Sequence, residues 1–253
     1  MAPDGVPIPS DITEQTNGHL SKPTNLSDGA SAEPAHTFPG PIANGKQTSV
    51  HLLDRTQLIA SGLLPQLTTL INVSFNSQHT KAENGILTNH DRLTRDDQLL
   101  EEFGHAPGTF VYIITTANGA ELVGTAYASL YVGVEQWPEG PGERVWERLG
   151  LVEEGWEAWE LHMMAVHPGY QRQGLADYLM RLVDAEVVKR HEERKRLVLY
   201  ISTIKETNES FYLRKGFKEK YAVHWPAGTF GSAVGFTVVH MDREIRVAEE
   251  SGK

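Results

Sequence analysis

From Ser49 onward, short apolar runs alternate with longer amphipathic stretches, and the alternation sets out the elements in order. Ser49 to Leu53 predicts a first strand. Asp54 follows in the position of a helix N-cap, where a side-chain oxygen can accept from the free N–H groups of the first turn. Leu58, Ile59, Leu63, Leu64, Leu67, Leu70 and Ile71 then give a broad apolar face over a helix to about Ser74. Pro65 lies inside that stretch and predicts a kink or a break into two shorter helices. Asp96 to Phe103 predicts a further short helix. Thr109–Thr115 and Glu121–Tyr131 read as two strands, and the Asn118-Gly119 turn between them makes an antiparallel hairpin.

The stretch from Trp159 to Met180 organises the rest. Glu160 to Val166 is a strand pattern, His167-Pro168-Gly169 a tight turn, and Gln171-x-x-Gly174-x-Ala176 opens directly into a helix from Leu175 to about Lys195. That helix buries Leu179, Leu182, Val183 and Val187 and turns its charges outward. Arg196 to Ser202 is the next strand, Thr207 to Lys215 a helix stopped at Gly216, Phe217 the start of another strand, and Gly235 to Met241 the last. Strand–helix–strand over 160–202 implies a right-handed parallel crossover, whereas the 109–131 hairpin is antiparallel. The fold class is therefore α/β, a mixed sheet with helices on its faces. No internal repeat is visible.

Two segments break the pattern. Residues 1–47 are rich in Pro, Ser, Thr, Asn and Gly, and seven of the thirteen prolines fall in the first 41 residues. Such a segment buries too little apolar surface to offset its ordering entropy, so 1–47 is expected to be a disordered tail and 48–247 a single domain. Val134 to Glu157 is acidic, punctuated by Gly and Pro, and holds Trp137, Trp146 and Trp156. It reads as a structural cap or a substrate-binding lid.

The net charge is −10 and the sequence pI about 5.5, which argues against non-specific binding to nucleic acid or an anionic membrane. There is no cysteine, so disulfides, zinc–thiolate sites and sulfur nucleophiles are excluded, and no metal is expected. No apolar run approaches the roughly 20 residues that span a bilayer, so a cytoplasmic protein is expected.

A helix start leaves its first N–H groups unpaired and carries a partial positive charge, which suits a phosphate or pyrophosphate. Gly174 lets an anion approach the backbone closely, and Ala176 is small for a similar reason. Arg172 offers a fork of donors to a phosphate, or is a solvated loop residue. Glu160 and His162 lie two apart on one strand and so share a face. Near neutral pH a histidine is suited to removing a proton, whereas Glu160 would need a raised pKa or a relaying water. His167, before Pro168 in the turn, is read as structural.

The strand Glu160–Val166, the Gln171-x-x-Gly174-x-Ala176 loop and the Asn208…Tyr212-x-x-x-Gly216-Phe217 block together resemble the GNAT N-acyltransferase superfamily. Locally, Leu161-His-Met-Met-Ala-Val-His-Pro168 resembles the arylalkylamine N-acetyltransferases. The resemblance implies a mostly antiparallel sheet splayed open between its fourth and fifth strands, with acetyl-CoA in the opening. It implies pyrophosphate on the N–H groups of Gln171, Arg172, Gln173, Gly174, Leu175 and Ala176. The pantetheine arm would pair with the backbone of Met164, Ala165 and Val166, and Asn208 would contact that arm. Tyr212 falls where the family often places its acid near the CoA sulfur. Glu160, slightly ahead of His162, is the expected base. The implied activity is direct, acetyl-CoA-dependent transfer to a small primary amine such as an arylalkylamine, by a monomer or homodimer with no nucleic-acid or membrane partner. The alternatives are a protein N-terminal or lysine acetyltransferase and a non-catalytic CoA-binding module.

Overall fold

A computed structural model describes residues 36–79, 91–104, 106, 108–131, 143–147 (backbone only), 155–191, 196–229 and 232–245. The described residues begin with a hairpin, β1 His36–Ala43 and β2 Lys46–Leu53, turned at Asn44-Gly45 with both residues at positive φ. This corrects the expected boundary at residue 47, because the strand β1 is ordered against β2 within the supposed tail. Pro39 and Pro41 gave this segment its tail-like composition. Both sit on an edge strand, Pro39 at the start of a register shift against β2, which are the places where a sheet tolerates proline. Residues 1–35 of the expected tail lie outside the described residues.

Asp54 caps α1, Arg55–Ser61, through a capping box with Gln57. Gly62, in the left-handed region, ends it, and α2 runs over Leu64–His79 after a 99° bend. The single long helix is thus two, broken just before Pro65. The helix α3 spans Asp96–Phe103, β3 Phe110–Thr116 and β4 Leu122–Leu130, and the last two pair antiparallel as expected. The tryptophan-bearing segment contributes one short strand, β5 Glu143–Glu147, paired to the edge of the sheet. Trp137 and the side chain of Trp146 lie outside the described residues, and so does the question of a lid. The strand β6 covers Trp156–Val166 and leads through a 3₁₀ turn at Pro168–Tyr170 into α4, Leu175–Arg190. Next come β7 Arg196–Ile204, α5 Lys205–Leu213, β8 Lys218–Trp225 and β9 Phe236–Ile245.

The described strands form one nine-stranded sheet in the order β1-β2-β3-β4-β6-β7-β9-β8-β5. Every ladder is antiparallel except β6–β7, which is parallel with α4 as its crossover. The implied fourth and fifth strands are β6 and β7 here, because β1 and β5 add to the count. Their ladder ends at Glu160↔Tyr200, although β6 runs on to Val166 and β7 to Ile204. The sheet therefore opens between them.

Helices cover both faces. On one, Leu58, Leu67, Leu70, Ile71, Leu99 and Phe103 of α1–α3 pack on Val111, Ile113 and Tyr127. On the other, Leu175, Leu179, Val183 and Val187 of α4 pack on Ile114, Val123, Leu161 and Leu199. No single described helix is long and apolar enough to cross a membrane.

Candidate active site

The opening in the sheet begins beside Glu160. Its carboxylate Oε2 lies 3.3 Å from His162 Nε2, so the two positions predicted to share a face do meet. The same Nε2 lies 3.3 Å from Ser129 Oγ on β4. The imidazole stacks on Tyr127 at 4.8 Å, and Tyr127 stacks in turn on Phe103 of α3 at 4.6 Å. The Tyr127 hydroxyl donates to the Glu102 carbonyl, and the Glu102 carboxylate receives a two-pronged hydrogen bond from Arg92 at 2.8 Å each.

This packing sets the protonation of the pair. Burial pushes the Glu160 carboxyl up to about 7, because a charged carboxylate is poorly solvated there. Burial, with the nearby Arg92 charge, holds His162 down at about 4. Near neutrality His162 is uncharged and a weak base, while Glu160 is poised between its two forms.

Across the β6–β7 ladder from Glu160 stands Tyr200, stacked on Tyr131 at 4.3 Å. Ala158 and Val198 complete this small apolar patch, with Trp156 at its margin under the Arg196 guanidinium. Sequence reasoning missed Arg92, Glu102, Tyr127, Ser129 and the tyrosine pair. Alternation along β4 puts Tyr127, Ser129 and Tyr131 on one face, which was a usable signal for three of them.

The loop after β6 has the backbone of an anion cradle. Arg172 and Gly174 both sit at positive φ, 60° and 78°. Gly174 is the N-cap of α4 and brings no side-chain cap, so the first-turn N–H groups have no side chain competing for them. Space around it is open, since a Cβ built at Gly174 would meet nothing within 4 Å. Arg172 and Gln173 are exposed, Gln171 and Ala176 are half-buried, and Leu175 is buried at the start of the helix. The residues present thus fit a pyrophosphate.

Along β6, the strand expected to receive a pantetheine arm, Met163 sits at φ 45° and the β4–β6 ladder has a bulge between Thr125 and Tyr127. The Val166 carbonyl is already engaged, accepting from Ser74 Oγ at 3.0 Å and Gln171 Nε2 at 3.1 Å. Met164 falls within the bulge, and Ala165 lies between it and Val166. His167 is structural as expected, its Nδ1 accepting from the Gly169 N–H.

Tyr212 lies on α5, buried, with its ring edge-on to Phe211 and Phe217 at 5.1 and 5.5 Å. Burial pushes its phenol further up, so it holds its proton at neutral pH. Asn208 is one helical turn earlier and on the same face as Tyr212. The structure brings Glu160 and His162 into contact. Tyr212 stands on a separate element, whose helix packs on β7 and β9.

A sheet opened at one parallel pair, with an uncapped helix start at the opening, defines a GNAT-type fold. In keeping with this, residues 112–219 match the family model of the acetyltransferase (GNAT) domain. No curated protein matches the sequence. Among solved structures, the ribosomal-protein-S18-alanine N-acetyltransferase of Escherichia coli is similar at 16% identity, over 81% of this chain and 99% of that one, with a TM-score of 0.47. An acetyltransferase of the GNAT family from Streptococcus pneumoniae is similar at 12% identity, over 79% and 99%, with a TM-score of 0.48. An aminoglycoside 6′-N-acetyltransferase complexed with coenzyme A is similar at 15% identity, over 79% and 99%, with a TM-score of 0.44. None of these three is by name an arylalkylamine acetyltransferase.

Proposed function

We propose that this protein transfers an acetyl group from acetyl-CoA directly to a small primary amine, with Glu160 as the base and Tyr212 as the acid. The observation that carries the reading is a buried carboxyl held near 7 at the point where the sheet opens. The loop 171–176 binds the pyrophosphate, and the β6 edge around Met164 and Ala165 aligns the pantetheine arm. Glu160 accepts a proton from the acceptor nitrogen as the N–C bond forms, and His162, uncharged, orients the carboxylate. Tyr212 gives its proton to the departing sulfur as the C–S bond breaks. Holding both substrates in one opening lowers the entropic part of the barrier, and a positioned base contributes about 10²–10⁴-fold. The stacked Tyr131–Tyr200 pair beside Glu160 supports an acceptor with an aromatic or planar body, whose ammonium an aromatic face also attracts. A cytoplasmic setting goes with this reading.

The test is release of CoA thiol from acetyl-CoA with a panel of arylalkylamines, polyamines, amino acids and basic peptides. Fastest turnover with an arylalkylamine supports the reading. Turnover confined to basic peptides assigns a protein acetyltransferase, and CoA binding without turnover on any acceptor assigns a binding module.

A further inference from the structure

The turn of the β1–β2 hairpin is fastened to the anion loop, some 125 residues away in sequence. The Asn44 N–H donates to Gln173 Oε1 at 2.7 Å, and Gln173 Nε2 donates back to Asn44 Oδ1 at 2.6 Å. Asn44 Nδ2 donates to the Gly169 carbonyl at 2.8 Å. One residue thus grips the loop at both ends. The topology explains the reach: β2 starts, β3 ends, β4 starts and β6 ends at the same end of the sheet. Asn44 itself sits at φ 49° before Gly45 at φ 72°, a turn geometry that asparagine tolerates and that aims its amide outward.

What this grip holds is a strained loop. Arg172 is a non-glycine residue at φ 60°, a conformation that persists only where its surroundings impose it. On one side, Gln171 Nε2 is tied to the Val166 carbonyl. On the other, Gln173 is tied to Asn44. With both glutamine side chains spent on fastening, and the Gln171 N–H donating to the Pro168 carbonyl at 3.4 Å, the backbone N–H groups from 172 to 174 are left to face a ligand. Cutting the Asn44 side lets Arg172 relax to negative φ, and the N–H groups must then be reordered at each binding event.

We infer that Asn44 is a positioning residue for acyl-CoA: the N-terminal hairpin, which precedes the family-matched span, preorders the pyrophosphate loop through the Asn44–Gln173 clamp. The inference rests on the reading of 171–176 as the pyrophosphate loop.

Asn44→Gly is the informative variant, because glycine keeps the positive-φ turn while removing both side-chain bonds. Isothermal titration with coenzyme A is expected to show a dissociation constant about tenfold higher, equivalent to about 1.4 kcal/mol. The KM for acetyl-CoA rises in parallel, while kcat at saturation and the acceptor KM stay within about twofold, a split that a general loss of stability does not give. Gln173→Ala weakens CoA binding similarly, and the double variant falls short of the product of the two effects, as residues acting in one contact do. Gly174→Val is titrated alongside. If it weakens binding while Asn44→Gly does not, the clamp is refuted and the pyrophosphate loop stands. If neither weakens binding, the loop assignment falls and the clamp with it.

Discussion

Replacing Glu160 by Gln is expected to change how stability depends on pH, with a sign that the geometry fixes. In the folded protein the Glu160 carboxyl is raised from 4.5 to about 7. The native state therefore holds a proton that the unfolded chain has lost between those values, and stability falls as pH rises from about 4.5 to about 7. His162 is lowered from 6.5 to about 4, so the unfolded chain binds the extra proton there, and stability rises over nearly the same window. At about 1.4 kcal/mol per pH unit, each shift is worth about 3 kcal/mol when fully developed. The two slopes oppose, and the wild type is expected to be nearly flat between pH 4.5 and 6.5. Glu160→Gln removes the falling slope and exposes the rising one, so the variant gains as much as about 3 kcal/mol relative to wild type between pH 5 and 8. His162→Ala exposes the falling slope instead. Urea unfolding at half-unit pH steps reads this out through midpoint shifts at constant m-value. A Glu160→Gln profile parallel to the wild type would refute the raised carboxyl, and with it the reason for preferring Glu160 as base.

Three further outcomes follow from the same structure. Tyr212→Phe keeps the ring packed against Phe211 and Phe217, so steady-state kinetics should show kcat down about 10²-fold or more with acetyl-CoA affinity unchanged. An unaltered kcat would remove the acid assignment. Asp54→Ala removes the α1 cap and half of its capping box, and should cost about 1 kcal/mol in denaturant unfolding without affecting CoA binding. Phe217→Ala empties a fully buried site under Tyr212 and should cost about 3–5 kcal/mol, read as a lower thermal midpoint.

The elements that the sequence disclosed are those with a clean period and local punctuation. Asp96–Phe103 matched to the residue, the Asn118-Gly119 hairpin formed where the turn dipeptide required it, and Gly62 beside Pro65 split the long helix. The edge strand β1 escaped because its prolines imitate a tail. Asn44-Gly45, flanked by Ile42 and Val50, carried the same hairpin signal as Asn118-Gly119 and was available to overrule composition. In the site, the two-residue spacing was enough to bring Glu160 and His162 to one face. It could not reveal which of them titrates near neutrality. That depends on burial by Phe103 and Tyr127 and on the charge of Arg92, all brought in from other elements across the sheet. The clamp at Asn44 is of the same kind, because it exists only through the convergence of four strand ends.

The central claim is that a buried carboxylate on β6 accepts the acceptor's proton during acetyl transfer. Its most direct test is the pH dependence of kcat/KM for the best amine of the panel, in the wild type and in Glu160→Gln. The wild-type profile should rise with pH through an inflection near 7, as the carboxyl ionises. Glu160→Gln should lose that inflection and fall by about 10²–10⁴-fold. A variant that keeps both the inflection and the rate would contradict the account.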